Sequence, residues 1–101
     1  MKHTPAPWAL HRNGFSTIYV EAKIGNGMIQ EVAACGPTNE GQEQQEANAK
    51  LIAAAPELLE ALKELDECYC QVGNYLTKEE RHHHRMTLIK ARAAIEKATG
   101  K

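Results

Sequence analysis

Apolar residues recur through the second half of the chain at helical spacing. In the run 46–76, EANAKLIAAAPELLEALKELDECYCQVGNYL, they fall at Leu51, Ala55, Leu58, Leu62, Leu65, Tyr69, Val72 and Leu76, in alternating steps of four and three. That spacing puts them on one narrow helix face suited to meeting another helix. Pro56 interrupts the run without shifting its phase. Proline lacks an amide donor and crowds the preceding turn. The pattern therefore predicts either a kink near Ala53–Ala55 or a short break with Pro56 opening a new helix. Glu40, Glu43 and Glu46 suit a helix start near Gln42 or Glu43, and Gly73-Asn74 accepts a left-handed C-terminal cap. Thr77-Lys78-Glu79-Glu80 has the form of a capping box, Thr77 capping and Glu80 three residues on. A last helix is expected over 77–98, stopped by Gly100, with Met86, Leu88, Ile89, Ala93 and Ile95 as its apolar face. The short link from Gly73 to Thr77 makes the two helices an antiparallel hairpin.

The first third alternates with a period of two. Pro5 and Pro7 keep the start extended. Trp8 to Arg12 reads as a short strand, Asn13-Gly14 as a two-residue hairpin turn, and Phe15 to Ile24 as a second strand. Ile18, Val20, Ala22 and Ile24 face one side of it, and Thr17, Tyr19, Glu21 and Lys23 the other. Gly25-Asn26-Gly27 is a second turn, and Met28 to Cys35 a third strand, closed by Gly36-Pro37. A two-residue turn at Asn26-Gly27 would pair Ile24 with Ile29 and Ala22 with Glu31. A three-residue turn would pair Ile24 with Met28 and Val20 with Val32. The second is preferred because it keeps carboxylates off the apolar face. The fold class is α+β: a three-stranded antiparallel β-meander (1–36), a polar connector (37–42), a Pro-kinked helix (43–73) and a C-terminal helix (77–98) closing the hairpin, all in one domain.

Composition adds two points. Aromatics are scarce and much of the apolar content is alanine, so a core of this size is marginal alone and association is a common remedy. The net charge of −1 hides an asymmetry. Residues 1–36 hold three basic and two acidic groups, residues 37–73 two and eight, and residues 74–101 seven and three, or +1, −6 and +4. An acidic helix (Glu57, Glu60, Glu64, Asp66, Glu67) is thus expected to lie against a basic one (Arg81, Arg85, Lys90, Arg92, Lys97). Exposed pairs are worth only about 0.2–1 kcal/mol each, so charge selects partner and orientation more than stability. No run spans a membrane, and MKHTPAPW lacks the apolar core of a signal peptide. Cys35, Cys68 and Cys70 form no metal or redox spacing, which points to free thiols in a reducing cytoplasm.

Candidate chemistry is sparse. His82-His83-His84 are consecutive and fan out by about 100° each around a helix, whereas metal ligands need three- or four-residue spacing. Glu79 with His83 and Glu80 with His84 have that spacing, but a solvated or helix-facing polar turn is the simpler account, with His82 bordering the core one turn before Met86. No nucleophile constellation and no phosphate-cradling glycine loop is present. No catalytic residue, metal or cofactor is expected. Lys78, Arg81, Arg85, Lys90, Arg92 and Lys97 with the histidines form a candidate stripe for anionic partners. Against nucleic acid stand the near-neutral charge, the acidic helix alongside and a last helix without aromatics. Asn48, between alanines, is a candidate register-fixing group in a helix interface. Trp8, Tyr69 and Tyr75 read as packing residues.

Two segments also carry a resemblance. Thr4-Pro5-Ala6-Pro7-Trp8, together with the helical string from Glu46-Ala47-Asn48-Ala49 through Leu51-Ile52-Ala53-Ala54-Ala55-Pro56 to Leu62, resembles a family of small phage and prophage proteins. These join a TPxPW-type opening and a short β region to an EANAxLIAAAPELLEAL helix. The resemblance covers about half the chain and brings no catalytic residues with it. It implies a phage-encoded accessory protein acting in the host cytoplasm.

The expected function is a non-enzymatic binding protein that inhibits a host protein such as an antiviral defence component. The expected interface for a homo-oligomer or host partner is Leu51, Ala55, Leu58, Leu62, Leu65, Tyr69 and Asn48. Arg81, Arg85, Lys90 and Arg92 are the candidate contacts for an anionic partner. The alternatives are an oligomeric sponge for a small signalling nucleotide and a nucleic-acid-binding regulator using the basic last helix; neither is favoured.

Overall fold

The computed structural model describes residues 2–12 and 16–100. Its elements are β1 (Trp8–Arg12), β2 (Ile18–Ile24), β3 (Met28–Cys35), α1 (Gln42–Ala53), α2 (Ala55–Tyr69) and α3 (Lys78–Thr99). The fold is α+β, a three-stranded antiparallel meander in the order β1-β2-β3 followed by three helices. The chain divides into two compact units, Met1–Glu57 and Leu58–Lys101.

In the first unit β1 pairs with β2 from Trp8↔Ala22 to Arg12↔Ile18. The strand β2 begins at Ile18 rather than Phe15; the expected Asn13-Gly14 turn and Phe15 lie outside the described residues. Gly25–Gly27 forms a three-residue 3-10 turn with Asn26 and Gly27 at positive φ, and it pairs Ile24 with Met28. The three-residue alternative is therefore the one adopted at the turn. Farther along, the expected pairing of Val20 with Val32 is replaced by Val20↔Ala33. A bulge between Val20 and Glu21 makes Val32 the extra residue, and such a bulge shifts register by one. Its effect is to keep Val32, Ala33 and Cys35 all against the core.

Ile18, Val20 and Ala22 are buried, as their alternation predicts. The helix α1 covers them with Ala49, which is fully buried, and with Ile52 and Ala53 at its sides. Alanine at 49 and 53 lets the helix backbone come close to the sheet. Trp8 and Leu10 pack on the same cluster. The Trp8 indole N–H donates to the Thr4 carbonyl at 3.0 Å, and the Thr4 hydroxyl donates to the Gln30 side chain at 3.3 Å. Trp8, Ala22 and Gln30 stand in one cross-strand row, so the opening segment is tied across the sheet.

The break before Pro56 falls at Ala54. That residue keeps a right-handed conformation and donates to the Lys50 carbonyl at 3.0 Å; α2 then begins at Ala55. Pro56 sits in the first turn, where its missing amide costs nothing.

In the second unit, α2 ends at Tyr69, before the expected Gly73. Residues Gly73–Tyr75 instead form a 3-10 turn. Val72 and Leu76, the last two members of the expected stripe, are therefore off the helix, and Tyr75 is exposed rather than packed. The helix α3 starts as expected. The Thr77 hydroxyl accepts from the Glu80 amide and the Glu80 carboxylate accepts from the Thr77 amide, at 3.2 and 2.9 Å. Gly100 closes it in the left-handed conformation. Asp66 pairs with Arg92 at 3.0 Å, and the rings of Tyr69 and His84 meet at 4.1 Å between centroids. The later residue of α2 meets the earlier residue of α3, so the hairpin is antiparallel.

Candidate functional site

The expected interface stripe is best judged by what each helix buries. The half-buried and buried positions of α1 are Gln45, Glu46, Ala49, Ile52 and Ala53, at steps of one, three, three and one. Leu51 lies off that face and is 64% exposed, while Ala49 two residues earlier has no exposure at all. Asn48 and Ala55 are exposed as well. On α2, Leu58 and Leu65 are 53% and 64% exposed; Leu62 and Tyr69 are half-buried. Leu62, Leu65 and Tyr69 line an apolar groove with Leu88 and Ala91 of α3. The stripe is thus split. Leu62 and Tyr69 serve the hairpin, Leu65 sits at the open edge of its groove, and Leu51 and Leu58 remain open.

The expected apolar face of α3 is corrected in part: Leu88 and Ile95 are half-buried as expected, and Met86, Ile89 and Ala93 are not. Its buried and half-buried positions His84, Leu88, Ala91 and Ile95 are spaced by four, three and four, and the first three meet α2. Met86 and Ile89 are more than half exposed, and Ala93 is exposed too. The buried histidine of the run is His84, not His82, which is exposed with His83. Its ring lies against Tyr69, and the Nε2 edge comes within 3.6 Å of where a side chain on Gly73 would begin. Its Nδ1 is buried without a hydrogen-bond partner. Among the described residues no group of His, Cys, Asp and Glu gathers closely enough to hold a metal ion. Cys35 is half-buried, and Cys68 and Cys70 are exposed; all three are free thiols.

The charge match between α2 and α3 is narrower than the sequence suggests. Asp66–Arg92 is the one ion pair joining them among the described residues. Glu60 pairs with Lys63 on its own helix at 3.9 Å. Arg81 donates from Nε to the Leu76 carbonyl at 3.1 Å, bracing the turn rather than facing an acid. Arg85 and Lys90 are exposed with no carboxylate beside them among the described residues. In the first unit Glu46 bridges Lys50 and Arg12, at 3.5 and 3.1 Å. Lys50 first, and Arg12 after it, hold its carboxyl below the usual carboxylate range. The backbone N–H of Thr77 does the same for Glu80.

Sequence reasoning passed over Gln45. It is buried, and its Nε2 donates to the carbonyl of Cys35 at 2.8 Å and to that of Ser16. Those carbonyls lie at the end of β3 and just before β2. The signal was its four-residue step to Ala49, hidden because glutamine does not register in an apolar pattern.

With the geometry in hand, comparison with known proteins adds one finding. The family model of Salmonella phage P22 protein Y8K6 matches residues 1–101. The chain belongs to this family. A phage protein family therefore accounts for the whole chain, the hairpin included. No curated protein and no solved structure matches. Within the described residues of this phage protein, no helix is long and apolar enough to cross a membrane.

Proposed function

We propose that this member of a phage protein family is a non-enzymatic accessory protein that acts by binding, and so inhibiting, a protein of the infected cell, with antiviral defence components as the target class. The observation that carries the reading is Leu51. The helix α1 completes its contact with the sheet through Ala49, Ile52 and Ala53, yet presents a large apolar side chain outward. Exposed apolar groups of this kind, rimmed by polar residues such as Asn48 and Lys50, suit protein partners better than water. The reading assigns no reaction and no cofactor to the chain and places it in the host cytoplasm.

Affinity capture from host lysate tests it, with the wild-type chain beside Leu51→Glu. The expected result is a specific protein retained by the first and lost by the second. Identical eluates from both would defeat the reading.

A nucleic-acid-binding role has one observation in its favour: Arg85 and Lys90 lack acidic partners among the described residues. These cations, however, flank an apolar stripe on either side instead of forming one continuous cationic face. A gel-shift assay at low salt decides, and no shift removes that alternative.

A further inference from the structure

The α2–α3 hairpin leaves two apolar stripes largely exposed, although Leu65 also edges the groove against Leu88 and Ala91. On α2, Leu58 and Leu65 stand one heptad apart with Ala61 between them, all exposed. On α3, Met86, Ile89 and Ala93 recur at steps of three and four, also exposed. At about 100° per residue, this second stripe lies on the side of α3 opposite His84, Leu88, Ala91 and Ile95. A helix apolar on two opposite faces has a second face available for burial, and α2 accounts for only one.

The two stripes are edged by opposite charges. Glu64 immediately precedes Leu65 on α2. Arg85 immediately precedes Met86 and Lys90 immediately follows Ile89 on α3, one on each side of the stripe. These are the flanking positions at which charge sets pairing in coiled coils. Glu64, Arg85 and Lys90 have no ionic partner among the described residues, since the hairpin's own cross-helix pair is Asp66–Arg92. Stacking α2 on α2 would face carboxylate with carboxylate, and α3 on α3 cation with cation.

We propose that the outer stripe of α3 receives the Leu58–Leu65 stripe of a second copy of this chain, with Glu64 of one copy beside Lys90 of the other. The inference rests on the protein-binding reading above and names one partner: the chain itself. It also leaves Leu51 free for a different protein. The contact is heterologous, so each copy offers one stripe of each kind, and assembly passes beyond a dimer unless it closes into a ring.

Sedimentation equilibrium of the full chain, from low to high micromolar concentration, tests the contact. The wild type is expected to exceed the monomer mass increasingly with concentration. Leu65→Glu and Ile89→Glu change exposed residues, so each should keep native circular dichroism, and each alone should be monomeric. Mixed together they should form a dimer and stop there, because one intact stripe of each kind remains. Glu64→Lys and Lys90→Glu should each weaken association about five-fold, and combining them in one chain should regain most of it. This charge swap keeps the proposal testable if an apolar variant fails to fold.

A monomer throughout, or association lost in Leu65→Glu but intact in Ile89→Glu, would overturn the proposal. A wild-type monomer that still captures a host protein through Leu51 defeats this contact alone. A self-associating chain that captures none defeats the binding function alone.

Discussion

The side-chain amide of Gln45 donates to the carbonyl oxygen of Cys35 at 2.8 Å, and the same nitrogen donates to Ser16. One NH₂ group with two hydrogens thereby ties α1 to the end of the sheet at two backbone points. The buried glutamine does for this corner what no apolar side chain could: it donates to two backbone carbonyls at once.

Replacing that amide exposes the dependence. Gln45→Leu keeps the volume and removes both donors, and should cost about 1–3 kcal/mol of stability, the usual penalty for buried acceptors left unpaired. Urea denaturation of the two chains measures it. Gln45→Glu should be worse at neutral pH, because a carboxylate would face two carbonyl oxygens. It should recover toward acid, since protonation restores one donor. Equal loss at both pH values would show that the hydrogen bonds are not what matters.

Ala49 is fully buried against Ile18 and Val20. Ala49→Leu forces extra methylenes into that contact and should destabilise by about 1–3 kcal/mol, as overpacking does. Leu51→Ala, two residues away on the outer face, should leave the thermal midpoint nearly unchanged. That contrast separates the core face of α1 from its open face.

The capping box at the start of α3 should be worth about 0.5–2 kcal/mol, read as the loss in Thr77→Ala. Glu80 adds a pH dependence. Its folded carboxyl is held below the ordinary range by the Thr77 amide, so its contribution is complete above that range and is lost as pH falls through the folded value. Glu80→Gln can keep the reciprocal hydrogen bond without the charge and should flatten the acid limb of a stability–pH curve. An unchanged acid limb would place the dependence elsewhere.

His84 is buried with Nδ1 unpartnered between Tyr69 and Gly73. His84→Leu removes an unsatisfied polar atom while keeping an apolar contact for the tyrosine ring. It should hold or raise stability by about 1 kcal/mol. A large loss in thermal unfolding would mean that the imidazole makes an interaction stronger than ring contact.

Several elements were legible from residue order. The third strand, the start of α1 near Gln42, the capped start of α3 and its stop at Gly100 follow from turn and cap chemistry that acts over a few residues. The buried side of β2 followed from its period of two. The end of α2 did not. Gly73-Asn74 marked a possible stop, but the helix gives way at Tyr69, into a turn that Arg81 braces from the next helix through the Leu76 carbonyl. The interface stripe was only half legible, since spacing shows which residues share a helix face but not which face is already occupied.

Sequence by itself determined the α+β class, the element types and the apolar positions, because these depend on local conformational preference and periodicity. Tertiary structure decided which apolar positions are spent. It put Ala49 and Gln45, not Leu51, against the sheet; it set His84 and Leu88, not Met86 and Ile89, toward α2; and it inserted Val32 as a bulge. The physical reason is common to all of these. A helix with more than one apolar stripe can dock by any of them. The choice turns on close approach at alanine, on satisfying backbone carbonyls and on a single ion pair, Asp66–Arg92. These are relations between residues far apart in the chain, and periodicity does not encode them.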